Sequence, residues 1–504
     1  MQTSDTFNTI LNLMPILFIW FFGLIFAIIV ITFIFDTTQS KNAVLKNYPV
    51  IGHFRYLFSN LGEFFRQYFF AMDREEMPFN RAERDWVNRA SKGNNSTIAF
   101  GSTKNLSAPG TSIFINCPFP TLDSDVVENK TVTIGEGYSD NPYTAKSIFN
   151  ISGMSYGAIS KPAILALSKG AKMAECWMNT GEGGLSSYHL ESGADLVFQI
   201  GTAKYGVRNS DGSLNDEKLA KIAEYDQVKM FELKISQGAK PGKGGILPGI
   251  KVTTEISGIR GIPKGKDSVS PNRHIEISND SELLDMINHI RNITKKPVGF
   301  KIVIGHIKWL DGFLNEVNVR GVDSAPDFIT VDGGDGGAGA SPMALMDNVG
   351  LSLKESLPLV VDNIMQNGLE DRVKVVASGK MITPADMAWA ICAGADFVTS
   401  ARGFMFAIGC IQSLKCNKNT CPTGITTHNK RLQKGLNPES KAEKVKNYVH
   451  NMINIVETIA HSCGVKEVRS LNRTHIRIVQ NNGKSIPMNE LYPTCPEREN
   501  NESI

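Results

Sequence analysis

Lysine and arginine are missing from the first forty residues. Their absence removes the basic leader of a cleaved signal peptide, and Phe33-Ile34-Phe35-Asp36 offers no small-residue cleavage site. A charge excess is missing too. The 53 Lys and Arg nearly balance the 50 Asp and Glu, leaving a net +3. With no basic stripe interleaved with aromatics, nucleic acid is not an expected partner. Cysteine is sparse and scattered: Cys117, Cys176, Cys392, Cys410, Cys416, Cys421, Cys463 and Cys495. Only the three from 410 to 421 are grouped. That excludes a disulfide scaffold and fits a reduced compartment with one metal or cluster site. No internal repeat is visible beyond an alternation of strands and helices.

What is present begins with an apolar run, Ile16 to Phe35. It matches the about 20 residues needed to cross a bilayer core. Lys41, Lys46, Arg55 and Arg66 follow it, so the positive-inside rule puts the bulk of the protein in the cytoplasm. The expectation is a single-pass membrane anchor over 1–44, with a buried core helix as the alternative. Residues 45–147 form an extension, helical to about 100 and then irregular and β (S-I-F-I-N-C, T-V-T-I-G). Its aromatics Phe54, Tyr56, Phe58, Phe64, Phe65, Tyr68, Phe69 and Phe70 fit core packing better than an amphipathic collar at the membrane. Residues 431–504 are charged and helical over Lys441–Cys463, then polar, with disorder expected from about Pro496.

Between 148 and 430 short apolar runs recur: Ile148–Ser152, Ala171–Trp177, Asp195–Ile200, Val228–Ile235, Val298–Ile304, Asp327–Val331, Val373–Ala377 and Asp396–Thr399. Helical patterns at Ile159–Lys169, Asp216–Glu224, Ser281–Asn292, Met343–Asn367 and Pro384–Ala393 lie between most of them. Eight strands in one βα series predict an α/β fold, a (β/α)8 TIM barrel, with an open doubly wound sheet as alternative. Glycine and polar clusters follow most of these strands, at the end where a barrel carries its active site.

One such cluster is Glu232–Gly249, E-L-K-I-S-Q-G-A-K-P-G-K-G-G-I-L-P-G. Its glycines allow close backbone approach, and Lys234, Lys240 and Lys243 bring positive charge. A surface Gly/Lys loop without a chemical role is the bland alternative. Ser378-Gly379-Lys380 and Ala401-Arg402-Gly403 follow the seventh and eighth strands, where barrels often hold phosphate; two ordinary strand-to-helix turns would read the same. Cys410, Cys416 and Cys421 have the spacing C-x5-C-x4-C. Three thiolates suit an iron–sulfur cluster with three protein ligands, while zinc completed by His428, or buried free thiols, are the other readings.

The segments M-S-Y-G-A-I-S (154–160), N-T-G-E-G-G (179–184), Q-G-A-K-P-G-K-G-G (237–245), D-G-G-D-G-G-A-G-A-S-P (332–342) and G-C-I-Q-S-L-K-C-N-K-N-T-C-P-T-G (409–424) resemble the synthase domain of glutamate synthases, in the same order. N-Y-P-V-I-G-H-F-R-Y-L (47–57) and P-F-N-R-A-E-R (78–84) resemble its short stand-alone members. The resemblance implies an FMN-binding barrel with a 3Fe-4S cluster, an oxidoreductase of CH–NH2 chemistry that makes glutamate from 2-oxoglutarate. Lys234, Gln237 and Lys240 would serve catalysis, Lys240 at the oxo-acid. Met154, Ser155, Thr180, Gly181, Glu182 and Lys301 would lie along the flavin. Asp332, Gly333, Gly334, Gly336 and Gly337, with Ser378, Gly379, Lys380, Ala401 and Arg402, would hold its phosphate. Cys410, Cys416 and Cys421 would ligate the cluster. Electrons would come from a carrier such as ferredoxin or from a reductase subunit.

Two departures from the family pattern stand out. The expected amidotransferase domain and its N-terminal cysteine are not seen ahead of the barrel. Ammonia would then come from solution or from a glutaminase partner. Where glutamate synthases read E-G-G-Q, this chain has Lys243-Gly244-Gly245-Ile246. An apolar side chain cannot make the hydrogen bond that the glutamine makes to the oxo-acid, and a site built for such a bond discriminates by it. A related flavin-dependent amine or amino-acid oxidoreductase with another substrate is therefore the alternative, and a non-catalytic flavin-binding redox subunit is a third reading.

Overall fold

The computed structural model describes residues 2–39, 42–65, 69–70, 72–94 and 97–493. Lys41, Arg66, Tyr68, Cys495 and the tail from Pro496 lie outside them. The chain divides into two units, Met1–Ala82 and Glu83–Ile504.

The first unit holds helices α1 (Gln2–Thr38), α2 (Ala43–Asn47) and α3 (Ile51–Phe65). The segment Leu13–Thr38 of α1 is long and apolar enough to cross a membrane by length and composition, with a mean hydropathy of 2.9. Its large apolar side chains, from Leu13 to Phe35, are exposed rather than packed into a core. Asn42 caps α2, its Oδ1 accepting from the backbone N–H of Val44 and Leu45. The expected core packing of the aromatics is corrected here: Phe54, Tyr56, Phe58, Phe65, Phe69 and Phe70 are exposed. A one-sided apolar stripe needs a second layer to bury it, and the helices of this unit do not provide one.

The second unit is built on a closed parallel barrel of eight strands: β1 (Phe149–Ile151), β2 (Met178–Asn179), β3 (Leu196–Ile200), β4 (Val228–Lys234), β5 (Val298–Ile302), β6 (Phe328–Asp332), β7 (Lys374–Ser378) and β8 (Phe397–Ser400). Each strand pairs with the next in sequence, and β8 closes on β1 through Ser400 and Ile151. The closed ring settles the choice between barrel and open sheet.

One strand sits elsewhere than expected. The run Ala171–Trp177 is not β2; its start is the end of a helix, Lys161–Met173. Ser160 caps that helix and Pro162 lies in its first turn. Buried Ile164, Leu167 and Ala171 continue one helical face, so the apolar run belongs to the helix. The true β2 is only two residues long, paired with Ile151 and Leu196. The pattern at Met343–Asn367 also breaks, into Met343–Met346 and Leu353–Gln366. Gly350, at φ +94, lies between them. The helix Ile307–Arg320 was not expected.

The helix Pro438–Ser462 packs along Lys161–Met173. The two come close because Gly170 lacks a side chain. A Cβ there would sit 2.4 Å from Val445 Cβ and 2.9 Å from the Ala442 carbonyl. Gly170→Ala is therefore expected to destabilise the barrel unit by about 1–3 kcal/mol. Val445→Ala removes Cγ1 at 2.5 Å but keeps the Cβ, so it should restore only a small part of that loss, a coupling that chemical denaturation of both single variants and the double variant would measure.

Candidate active site at the barrel mouth

The side chains inside the barrel change character along each strand. In a strand every second residue faces the same way. Trp177, Val197, Met230, Phe328, Val376 and Phe397 form one buried apolar cluster near the strand starts. The hairpin Val132–Ile134 with Tyr143–Ala145 adds Ile134, Tyr143 and Ala145 to that cluster. Two residues further along come Asn179, Gln199, Glu232, Thr330, Ser378 and Thr399, all buried and polar. Glu232 gathers this layer: Oε1 accepts from Asn179 Nδ2 at 2.8 Å and Gln199 Nε2 at 2.6 Å, and Oε2 from Thr330 Oγ1 at 2.7 Å. A buried carboxylate survives only when its acceptors are filled this way.

The strand ends bring charge. Lys234 on β4 and Lys301 on β5 are register partners, as are Asp332 on β6 and Ser378 on β7. Lys301 Nζ lies 3.3 Å from Asp332 Oδ2. Ser378 Oγ donates to Asp332 Oδ1 at 2.8 Å, and the Gly238 N–H donates to Oδ2 at 2.8 Å. Asp332 thus ties β5, β7 and the loop after β4 together.

Above these groups opens a cleft with about 1380 Å³ of non-atom space, counting the part open to solvent. Met154, Ser155, Glu182, Lys234, Gln237, Lys240, Lys301, Asp332, Gly337, Ser378, Gly379, Lys380, Ala401, Arg402 and Cys416 all line it. Thr180, Gly181, Gly333, Gly334, Gly336, Cys410 and Cys421 are not among the lining residues. Thr180 is buried, bonded to the Gly181 carbonyl and the Gln199 N–H. Gly333, Gly334 and Gly336 frame the wall behind Gly238. A Cβ on Gly238 would come within 2.2 Å of the Gly333 carbonyl, so only glycine lets these two loops meet.

On one flank Lys234 Nζ donates to Glu182 Oε1 at 2.8 Å and Gln237 Oε1 at 2.7 Å. Gln237 Nε2 donates in turn to the Gly337 carbonyl at 3.3 Å. Burial alone would push the Glu182 carboxyl up, but Lys234, Lys240 and Arg260 outweigh it and hold the group down at about 2. Burial lowers the Lys240 ammonium to about 8; Glu182 works against that shift and Lys234 adds to it. Glu182 is therefore an anion and Lys240 a cation near its titration point at neutral pH.

On the other flank Gly379 (φ +127) and Lys380 (φ +53) both leave the right-handed regions. The two positive φ values turn the chain sharply where β7 ends, a conformation that glycine adopts freely and lysine at a cost. Arg402 Nη2 donates to the Ala338 carbonyl at 2.7 Å, and Lys380 Nζ lies 3.8 Å from Asp335 Oδ2.

Sequence reading missed Arg260 and Lys251, both buried cations lining the cleft. Arg260 ends the short helix Thr254–Arg260. It donates to the Tyr156 carbonyl at 3.2 Å and to Ser268 Oγ at 3.3 Å, and its guanidinium lies over the Tyr205 ring at 5.0 Å. Its Nε has no hydrogen-bond partner. Lys251 Nζ donates to the carbonyls of Ala158 (2.6 Å) and Cys416 (3.2 Å). Burial lowers it to about 8, against the opposing pull of Cys416 and Cys421. The available signal was Thr253 capping a helix that ends in arginine, directly after the Gly/Lys loop. Of the two residues that depart from E-G-G-Q, Ile246 lines the cleft while Lys243 is exposed and does not.

The three loop cysteines lie on one segment, and only Cys416 reaches the cleft. Burial pushes the Cys410 thiol up to about 11. Cys421 is held below the ordinary thiol value: burial raises it, and hydrogen bonds from Thr423 and Thr426 outweigh that. Among the described residues no three His, Cys, Asp or Glu side chains form a group able to hold a metal ion. His428 Nε2 is 2.8 Å from the Gly157 carbonyl, which occupies one of its two ring nitrogens.

Because Glu182 raises Lys240, Glu182→Gln should lower the Lys240 pKa further below about 8. The pH profile of Lys240 acylation by an amine-selective reagent, read by mass spectrometry, is expected to move to lower pH. An unmoved profile would break the proposed coupling.

The model for the conserved region in glutamate synthase matches residues 105–466. The chain is 38% identical over 497 residues to the glutamate synthase large subunit-like protein YerD of Bacillus subtilis, covering 91% of this chain and 94% of that one. It is 34% identical over 340 residues to the archaeal glutamate synthase [NADPH] of Methanocaldococcus jannaschii, covering 67% of this chain. It spans only 63% of that relative's length. Among solved structures, the recombinant flavin-binding domain of baker's yeast flavocytochrome b2 overlays at a TM-score of 0.45 and 12% identity, over 84% of this chain and 86% of that one. On the family match and the Bacillus relative, the chain belongs to the glutamate synthase family.

Proposed function

We propose that this protein is an FMN-dependent oxidoreductase of glutamate synthase type, which forms glutamate from 2-oxoglutarate and ammonia supplied from outside the chain. The observation that carries this reading is the part-buried carboxylate Glu182 among Lys234, Lys240 and Arg260, at one flank of a cleft whose other flank carries Lys380 and Arg402.

The residues present fit the flavin. Gly238 and Gly333 keep the loop wall at backbone thickness, and the turn at Gly379–Lys380 with Arg402 suits a phosphate. FMN held there would supply a hydride to the imine carbon formed when ammonia condenses with the oxo-acid carbonyl and water leaves. Lys240 and Arg260 then clamp carboxylates of the substrate, while Lys234, fixed by Glu182 and Gln237, holds positive charge near the reacting end.

The cysteine loop suits a 3Fe-4S cluster in its sequence, but the present side-chain arrangement does not form a ligand group. The cluster stays part of the proposal through its three thiols and the adjacent Lys251 cation, which favours thiolates. Ferredoxin or a reductase subunit would bring electrons. The apolar segment Leu13–Thr38 would anchor the protein in a membrane, with the barrel on the cytoplasmic side.

A second reading keeps the flavin and changes the substrate. Ile246 lines the cleft, so an amine or oxo-acid with an apolar arm fits that wall better than one seeking a hydrogen bond there.

Anaerobic purification should give a yellow protein with one FMN and three irons per chain. Glutamate should appear from 2-oxoglutarate, ammonia and a reduced carrier. A faster flavin reoxidation by another oxo-acid, with no glutamate formed, would favour the second reading. Lys240 must be charged to clamp an anion, and its folded pKa is depressed to about 8. The clamp is therefore present below pH 8 and lost above it. KM for the oxo-acid should rise about tenfold per pH unit above that point, with kcat little changed, and Lys240→Arg should flatten the rise.

A further inference from the structure

We propose that α3 is an interfacial helix, lying in the lipid headgroup layer of a zwitterionic bilayer beside the end of the apolar span. The inference rests on the reading that Leu13–Thr38 crosses a membrane.

Three observations carry it. First, Ile51, Phe54, Leu57, Phe58 and Leu61 recur at helical spacing and share one face of α3. That face is exposed: Ile51 is 71% and Phe58 65% accessible. His53, Arg55 and Ser59 lie on the rest of the circumference. A contiguous exposed apolar stripe of this kind marks a surface meant to be covered.

Second, α3 is fixed to the end of the span rather than tethered loosely. Asp36, in the last turns of α1, is fully buried. Its carboxylate accepts from the Val50 N–H at 2.9 Å and lies 3.0 Å from His53 Nε2. Gln39 Nε2 donates to the Asp36 carbonyl at 3.1 Å and the Asn42 carbonyl at 2.8 Å. Asn42 Nδ2 donates to Tyr56 Oη at 2.7 Å. These bonds hold the first turn of α3 beside the last turns of α1, at the level where the span ends. An amphipathic helix at that level has headgroups and upper acyl chains beside it.

Third, the charge pattern selects the lipid. Within α2 and α3 the charged residues are Lys46, Arg55 and Glu63, a net of one positive charge; Lys41 and Arg66 flank these helices. That is too little for an anionic surface to dominate binding, so insertion is driven by burial of the apolar face, and aromatic side chains suit that depth.

The test uses the full chain in phosphatidylcholine nanodiscs, with p-benzoylphenylalanine replacing Phe54, Phe58, Arg55 or Trp20 in separate variants. After irradiation, mass spectrometry identifies the adducts. Lipid adducts at 54, 58 and 20, with none at 55, are expected, and they should persist when salt is raised. Lipid at 20 but peptide adducts at 54 and 58, from the barrel or from a second copy, would overturn the interfacial helix and leave the span standing. Absence of lipid at 20 as well would overturn both.

Discussion

A single buried carboxylate sets the terms for the cleft. Glu182 is largely enclosed, with 14% of its side chain exposed, and burial alone would push its carboxyl towards taking up a proton. Lys234 at 2.8 Å, with Lys240 and Arg260 nearby, keeps it charged. The relation runs both ways. Lys240 is itself buried and already lowered to about 8, and without Glu182 it would lose its charge more readily. Glu182 and Lys240 each favour the charged form of the other. A site that must present positive charge to an incoming anion, in a place dry enough for that charge to act strongly, needs such a counter-ion.

The barrel makes this possible by separating two tasks along the same strands. Met230, Glu232 and Lys234 lie at alternate positions of β4 and serve in turn as core, support and site. Phe328, Thr330 and Asp332 do the same on β6. The apolar layer closes the barrel at the strand starts, and the Glu232 layer converts that oily floor into a satisfied polar one. Only then do the charges appear. Removing Glu232 would leave Asn179, Gln199 and Thr330 with buried donors unfilled directly beneath the cleft, and unfilled buried donors are costly.

How much of this was legible in the sequence follows from which signals are local. Seven of the eight strands were readable because a buried parallel strand is a short apolar run, and each ran into a glycine cluster. β2 was not, because two paired residues after a capped helix leave no run to detect. The loop lysines were readable as charge beside glycine. Arg260 was not, because its role depends on a short helix folding back onto Tyr156 and Tyr205, a contact with no trace in spacing. The aromatics of α3 misled for a related reason: composition says that they must be covered, and only structure says that their own unit does not cover them. The cysteine spacing was plain, yet spacing alone did not ensure convergence of the three thiols.

Charge imbalance is what links the cleft to its ligands. Lys234, Lys240, Lys251, Arg260, Lys301, Lys380 and Arg402 line it against only two carboxylates, Glu182 and Asp332. Both carboxylates are already engaged, by Lys234 and by Lys301 with Ser378. The surplus is positive on both flanks, so the cleft is matched to ligands that carry anionic groups at each end. Such a field recognises charge and reads little else. Selectivity among anions of similar length must then come from the neutral wall, and Ile246 stands on that wall while Lys243 does not. Of Lys243 and Ile246, it is therefore the apolar side chain at 246 that stands where a ligand in the cleft would meet it.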